Sequence, residues 1–191
     1  MTRNRTWWLV AAAAAAIPAA LWADALRVRL DADQLRFAAP SLNFLTGRPL
    51  ERLKNGAGVH FDLHLTLWAD SRSTVRHRAA ERFTLSYDLW EEKFSVAHWR
   101  NPRSSASHLT PAAAQSWCLD RLSLPASDLP PGRNFWVRLE VRAADPAEPP
   151  MLEGSILNLT QLIELLSRPG RAGQNRWSAE AGPLRIEDLK R

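Results

Sequence analysis

Cysteine and glycine are scarce in this 191-residue chain, and each scarcity excludes a kind of site. The only cysteine, Cys118, excludes an internal disulfide and a multi-cysteine zinc site. The 8 glycines form neither a G-x-G-x-x-G pattern nor a phosphate-binding loop. The patterns G-x-S-x-G and H-E-x-x-H are also missing. Motifs therefore identify no enzyme and no cofactor, and we expect neither.

Lysine is scarce as well, so arginine carries most of the positive charge. The formal net charge is +5, and the only lysines are Lys54, Lys93 and Lys190. Arginine suits phosphate recognition because its planar guanidinium pairs bidentately. Here the arginines are scattered among 20 acidic residues, which is more typical of a coding bias than of a phosphate-binding surface. We expect the densest run, at 72–82, to be a charged strand edge, and we do not expect a nucleic-acid partner.

The first 23 residues are the clearest targeting signal. Arg3 and Arg5 precede an apolar stretch at 7–20, and Ala23 offers a small residue for cleavage. This layout predicts a signal peptide at 1–23 and a periplasmic or secreted mature chain at 24–191. The alternative is an inner-membrane anchor at 7–23, although this run is short for the ~20 residues that span a bilayer.

Residues 58–100 carry the strongest secondary-structure signal and predict an antiparallel β-meander. Apolar and polar residues alternate in three successive segments there. The apolar sets are Val59, Phe61, Leu63, Leu65 and Leu67, then Phe83, Leu85, Tyr87 and Leu89, then Phe94 and Val96. A two-residue turn at 91–92 pairs Leu89 with Phe94, and Tyr87 with Val96. Residues 73–82 either extend the second strand or loop out.

The remaining chain adds strands and helices to the meander. We expect strands at 25–37, 134–143 and 177–186, the last broken by Gly182-Pro183, and helices at 48–55, 110–122 and 158–167. Thr110 and Pro111 suit a helix start, since a hydroxyl can cap the first turn and proline fits it. Residues 101–109 are expected to be a polar connection, and residues 125–132 a loop.

Clean alternation in the strands favours an antiparallel sheet with one buried face. We therefore predict a mainly β or α+β fold, with a single domain at 24–191. The expected architecture is a β-sandwich of immunoglobulin-like type with two to three packed helices. A curved sheet with helices on its concave face is the alternative.

Several short motifs in these strands resemble one known family. They are GVHF at 58–61, LSYDL at 85–89, FSV at 94–96 and LPP at 129–131. Together with the leader and the order of elements, they resemble the bacterial secreted proteins grouped as domain of unknown function 4390. The resemblance covers most of the mature chain. It implies an envelope or periplasmic protein of a Gram-negative bacterium, and it supplies no catalytic residues.

One strand offers a candidate metal site. His60, Asp62 and His64 alternate on one face, where their Cβ atoms lie about 6.5–7 Å apart, so they can reach one metal ion. No fourth ligand is identifiable, and the simpler interpretation is the solvent face of a half-buried strand. Cys118 lies on the apolar face of the helix at 110–122, which favours packing over reactivity.

Tryptophans offer a candidate binding surface. Trp68, Trp99 and Trp136, together with Trp90, fall on the outer faces of their strands. Outer tryptophans beside arginines can bind a peptide, a glycan or a lipid. The alternative is that helices cover this second face.

Three hypotheses of function follow from these features. The first is a non-enzymatic envelope module that binds a protein or a cell-wall component through its sheet surface. The second is a lipid carrier with a cavity lined by Phe61, Leu63, Leu85 and Tyr87. The third is a metal-assisted hydrolase at His60, Asp62 and His64.

Overall fold

The computed structural model describes residues 26–100, 103–127, 129–144 and 175–189. Its strands are β1 (Arg27–Asp31), β2 (Gln34–Ala38), β3 (Val59–Ala69), β4 (Val75–Asp88), β5 (Lys93–His98), β6 (Ser104–Leu109), β7 (Ser123–Pro125), β8 (Phe135–Ala144) and β9 (Arg176–Leu184). Its helices are α1 (Gly47–Lys54) and α2 (Pro111–Leu119), and a 3-10 turn follows β9 at Ile186–Asp188. The predicted leader at 1–23 and the predicted helix at 158–167 lie outside these residues.

Two antiparallel sheets form the fold. The larger sheet has the order β6-β5-β4-β3-β8-β9, and the smaller sheet has the order β1-β2-β7. The predicted meander is confirmed as β3, β4 and β5, and so is the antiparallel, sandwich-like class with packed helices. Among the described helices, none is long and apolar enough to cross a membrane.

The alternation of apolar and polar residues along β3 and β8 explains why these strands occupy the middle of the larger sheet. Their inward residues are at most 1% exposed: Val59, Phe61, Leu63, Leu65 and Leu67 in β3, and Phe135, Val137, Leu139 and Val141 in β8. A period of two places all of them on one face. The two sets are also cross-strand neighbours, since β3 pairs with β8 along most of its length. This continuous apolar layer is the centre of the core.

The smaller sheet corrects the prediction of a single strand at 25–37. Asp31 and Gln34 pair across a tight turn, so the segment folds into the β1–β2 hairpin. Ala32 in that turn has a φ of 51°, a left-handed conformation that a straight strand does not contain. Leu35, Phe37 and, from β7, Leu124 join the same buried cluster as the larger sheet. The two sheets therefore share one core.

Both described helices confirm their predicted positions within a few residues. Thr110 caps α2, and its Oγ1 accepts the Ala113 N–H at 3.2 Å. Ala114 and Cys118 on α2, and Leu122 beyond it, are fully buried. Burial also raises the pKa of the Cys118 thiol, which keeps it protonated and unreactive at neutral pH.

The turn between β4 and β5 is longer than the predicted two residues. Tyr87 pairs with Phe94 and Leu85 with Val96, so four residues, 89–92, form the connection. Asp88 holds this turn, because its Oδ1 accepts the backbone N–H groups of Trp90 at 2.8 Å and Glu91 at 3.1 Å. The predicted register was wrong by two residues. A shift of two keeps the paired side chains on their predicted faces, but it leaves Leu89, predicted to be buried, in the turn and 58% exposed.

In two other segments the structure differs from the prediction, and in a third it decides between two predicted alternatives. Residues 75–82 extend β4 along β3 rather than looping out. Residues 104–109 form the edge strand β6, where a polar connection was predicted. β9 continues through Gly182 and Pro183, where a break was predicted, with an irregularity in its pairing to β8. The β6 result matters most, because it completes the sheet face described next.

Candidate binding site

Asp62, the centre of the predicted metal site, is held by two arginines. It is 3% exposed although it lies opposite the apolar face of β3. Arg82 donates to both of its oxygens, at 2.6 and 2.8 Å, and Arg142 donates to Oδ2 at 2.9 Å. Burial raises the pKa of Asp62, but the hydrogen bonds and charges of the two arginines outweigh burial and lower it overall. Asp62 is therefore an ionised carboxylate with both oxygens engaged.

The two histidines of the predicted site have different environments. His60 Nδ1 lies 2.8 Å from Thr84 Oγ1. Burial, followed by the charge of Arg82, lowers the pKa of His60. Burial is also the main reason that the pKa of His64 is lowered. Within the described residues, no group of three or more His, Cys, Asp or Glu side chains is arranged to hold a metal ion.

Trp68 and Trp136, two of the predicted surface tryptophans, form a packed corner of the sheet. They are cross-strand partners in β3 and β8, and both are half-buried. The Arg138 guanidinium lies 5.5 Å from the centre of a Trp68 ring. A Cβ placed on Gly182 would lie 2.5 Å from Trp136 Cδ1, so that contact requires glycine. This corner offers little open aromatic surface.

Trp99, the third predicted tryptophan, lies apart from this corner and is accessible. It directly follows β5 and is 55% exposed. Its Nε1 donates to Thr84 Oγ1 at 2.8 Å, which fixes the indole on the outer face of the sheet. The Arg103 guanidinium lies 4.7 Å from the centre of the ring. The predicted tryptophans thus do not form one surface, and of the three it is Trp99 that lines the depression described next.

The groove consists of two adjoining depressions of about 260 Å³ each on the β4, β5 and β6 side of the sheet. The first is lined by Thr84, Ser86, Ser95, Val96, Ala97, Ser105, Ala106 and Ser107. The second is lined by Ala97, His98, Trp99, Arg103, Ser104 and Ser105. We call this combined feature the Trp99 groove. Its lining is small and rich in hydroxyl groups, with one aromatic ring at its rim.

Hydroxyl groups in the Trp99 groove are available to a ligand. Ser86 and Ser95 are cross-strand partners, and Ser105 pairs with Ala97 on the next strand. In the part of the chain that the structure describes, the hydroxyls of Ser86, Ser95, Ser105 and Ser107 make no side-chain hydrogen bond. Sequence reasoning missed this row because it treated 101–109 as a connection. Without β6, Ser86 and Ser95 still share a face, but Ser105 and Ser107 are not placed beside them.

Charged groups at the rim of the groove differ in their pairing. Arg100 Nη1 lies 2.7 Å from Glu81 Oε1, and His98 Nε2 lies 2.9 Å from Glu81 Oε2. His98 also stacks on Phe83, with ring centres 4.8 Å apart. Arg103 has no carboxylate within ion-pair distance among the described residues. Within those residues, the aromatic ring of Trp99 is the group that faces its charge.

A different apolar group is exposed at the opposite end of β5. Leu89 and Trp90 lie in the β4–β5 turn and are 58% and 96% exposed. The ring of Trp90 borders neither of the two depressions that form the Trp99 groove. It therefore provides a natural comparison for Trp99.

Comparison of the chain with known protein families, curated proteins and solved structures gives no match. The resemblance to domain of unknown function 4390 stays a prediction. The candidate site rests on its own geometry.

Proposed function

We propose that the protein is a non-enzymatic binding module of the bacterial envelope and that the Trp99 groove binds a cell-wall glycan. The observation that carries this proposal is a half-exposed indole, held by Thr84, beside a row of hydroxyls that make no side-chain hydrogen bond within the described residues. The envelope location rests on the predicted signal peptide at 1–23. A periplasmic or secreted protein meets cell-wall saccharides directly.

The chemistry of the groove matches that of a sugar. A pyranose ring has an apolar face of C–H groups that can pack on an indole, and a rim of hydroxyls that need hydrogen-bond partners. Tryptophan supplies a large apolar surface at little entropic cost when its ring is already fixed. A few placed polar groups then set orientation and specificity. Ser86, Ser95 and Ser105 are placed to do this.

The carrier hypothesis has less support. Phe61, Leu63 and Leu85, which were to line a cavity, are fully buried in the core cluster. The Phe61 ring lies 5.1 Å from Phe44 and 6.3 Å from Trp177, centre to centre. The volume beside this ring is filled by other aromatic side chains.

The hydrolase hypothesis also has less support. A metal at His60, Asp62 and His64 needs a free carboxylate oxygen, and both oxygens of Asp62 accept hydrogen bonds from arginine. Removing these arginines from Asp62 would take away the hydrogen bonds that compensate its buried charge.

Titration of the purified full chain with a tetramer of N-acetylglucosamine tests the proposed function. We expect W99A to weaken binding at least tenfold, since an aromatic anchor is lost. W90A is the matched control, because it removes the same side chain from a fully exposed position and should bind as the parent does. Absence of binding, or equal loss in W90A, would contradict the proposal.

A further inference from the structure

We infer that the ligand of the Trp99 groove is an acidic saccharide, whose carboxylate pairs with Arg103. This inference rests on the proposed function and narrows it from glycans in general to one class. N-acetylmuramic acid, with its lactyl carboxylate, is such a sugar in bacterial cell walls. The argument depends on the position and pairing of Arg103 and on the polar groups next to it.

Arg103 supplies a cation at the groove that has no carboxylate partner among the described residues. It lines the second depression together with Trp99, Ser104 and Ser105. Its neighbour Arg100 is paired with Glu81 at 2.7 Å, whereas no carboxylate lies within ion-pair distance of Arg103 in the described residues. A bound carboxylate would therefore gain an ion pair without breaking one. Charge-assisted hydrogen bonds of this kind are about twice as strong as neutral ones.

The position of the Arg103 guanidinium over the Trp99 ring prepares it for such a contact. A guanidinium stacked on a ring keeps its N–H groups in its own plane, where they can form a bidentate pair with a carboxylate. The ring also restricts the side chain before the ligand arrives, which lowers the entropy lost on binding. The guanidinium lies over the ring, 4.7 Å from its centre, so it is next to the aromatic surface that remains for a sugar ring.

Other polar groups at the same end favour a saccharide over a simple anion. The Ser105 hydroxyl has no side-chain hydrogen bond in the described residues and borders both depressions. His98 is nine-tenths buried and also lines the second depression. Its Nε2 contacts Glu81, and its Nδ1 makes no hydrogen bond within the described chain. A hydroxylated ligand can both donate to and accept from these groups, whereas the oxygens of a fully ionised inorganic anion only accept.

The test compares two ligands that differ mainly in charge. One is the neutral tetramer of N-acetylglucosamine, and the other is the peptide-free peptidoglycan tetrasaccharide, in which two sugars carry lactyl carboxylates. We expect the full chain to bind the acidic tetrasaccharide about tenfold more tightly in low salt, as one charge-assisted contact suggests. The preference should shrink as salt screens the exposed ion pair.

Two variants locate the preference at one residue. R103Q should abolish the difference in affinity between the two ligands, so the quantity compared is the ratio of the two dissociation constants in each variant. R100Q is the matched control, since that arginine is already paired, and it should keep the full difference. Circular dichroism of each variant checks that the fold is unchanged.

The outcomes separate the inference from the proposed function. If the parent protein binds both tetrasaccharides equally, the inference is overturned and the proposed glycan-binding function stands. If R100Q loses the preference as R103Q does, the assignment to Arg103 is overturned. If inorganic phosphate competes as strongly as the acidic tetrasaccharide, the groove is a simple anion site and the inference fails. If neither saccharide binds, both proposals fail.

Discussion

At the scale of single residues, Asp62 shows how a polar face becomes part of the interior. Alternation along β3 places it opposite the core, yet only 3% of its surface is exposed. Arg82 and Arg142 reach it from the two neighbouring strands, β4 and β8. An ion pair this deeply buried is costly to break, because removing one partner leaves the other charges without compensation. Asp62 therefore joins three strands across the outer face.

Replacing Asp62 with asparagine tests this role. We expect D62N to lower the free energy of unfolding by about 3 kcal/mol, because two largely buried guanidinium groups lose their counter-ion. Urea unfolding followed by circular dichroism measures the change. D31N is the control: Asp31 and Arg36 form an exposed pair at 3.5 Å, which should contribute less than about 0.5 kcal/mol. Similar losses in both variants would show that burial does not set the strength of the Asp62 pair.

The same carboxylate makes stability depend on pH in the acid range. The pKa of Asp62 is lower in the folded protein than its ordinary value of about 4, so folding favours the ionised form. Its contribution is fully present above pH ~4 and is lost as pH falls through the folded pKa. The gap in unfolding free energy between parent and D62N should therefore narrow below pH 4. A constant gap from pH 7 to pH 2 would contradict this assignment.

Residues of the candidate site differ in how far sequence could predict them. Trp99 was predicted on an outer face because it continues the alternation of Phe94 and Val96. Arg103 and Ser105 were not, because their place beside Trp99 depends on β6 pairing with β5. The arginines around Asp62 were missed for the same reason: their contacts cross strands whose register single-sequence patterns do not determine. A pattern gives the face of a residue and not its neighbours.

At the scale of elements, strands with strong alternation were predicted and strands without it were missed. β3 and β8 carry four or five inward apolar residues each, and both were predicted within a residue or two of their bounds. β6 reads SSASHL, with no apolar alternation, and backbone pairing with β5 is what makes it a strand. The β1–β2 hairpin was missed although Asp31 and Asp33 are turn-forming residues. Its two halves alternate out of phase, with apolar residues at Leu26, Val28 and Leu30 and then at Leu35 and Phe37, and this change of phase was the signal that the prediction overlooked.

A helix cap provides a prediction for one element. Thr110 Oγ1 accepts the Ala113 N–H at the start of α2, whereas Thr46, at the start of α1, makes no capping hydrogen bond. We expect T110A to cost about 1 kcal/mol and T46A only a few tenths. Thermal unfolding of the two variants measures the difference. Equal costs would mean that threonine acts at these positions through backbone conformation rather than through its hydroxyl.

At the scale of the whole molecule, the class of fold followed from where the apolar residues recur. Antiparallel pairing and a single shared core agree with clean alternation in separate, short segments. The sequence pattern did not predict the division into a six-stranded and a three-stranded sheet. The strands β1, β2 and β7 are short, and their pattern fits an extension of the larger sheet equally well. Which strand pairs with which depends on packing between the sheets. That information is spread over the whole chain.

The place of β8 beside β3 has a consequence for the order of folding. Short turns join β3, β4 and β5, so the pairing of these strands closes only small loops. Pairing of β3 with β8 requires the closure of a far longer loop and is therefore slower. Until β8 pairs with β3, the backbone groups along one edge of β3 are unpaired and can form hydrogen bonds with strands of other chains. We expect pulse-labelled hydrogen exchange to show protection of β4 and β5 amides before those of β8. Simultaneous protection would contradict this order.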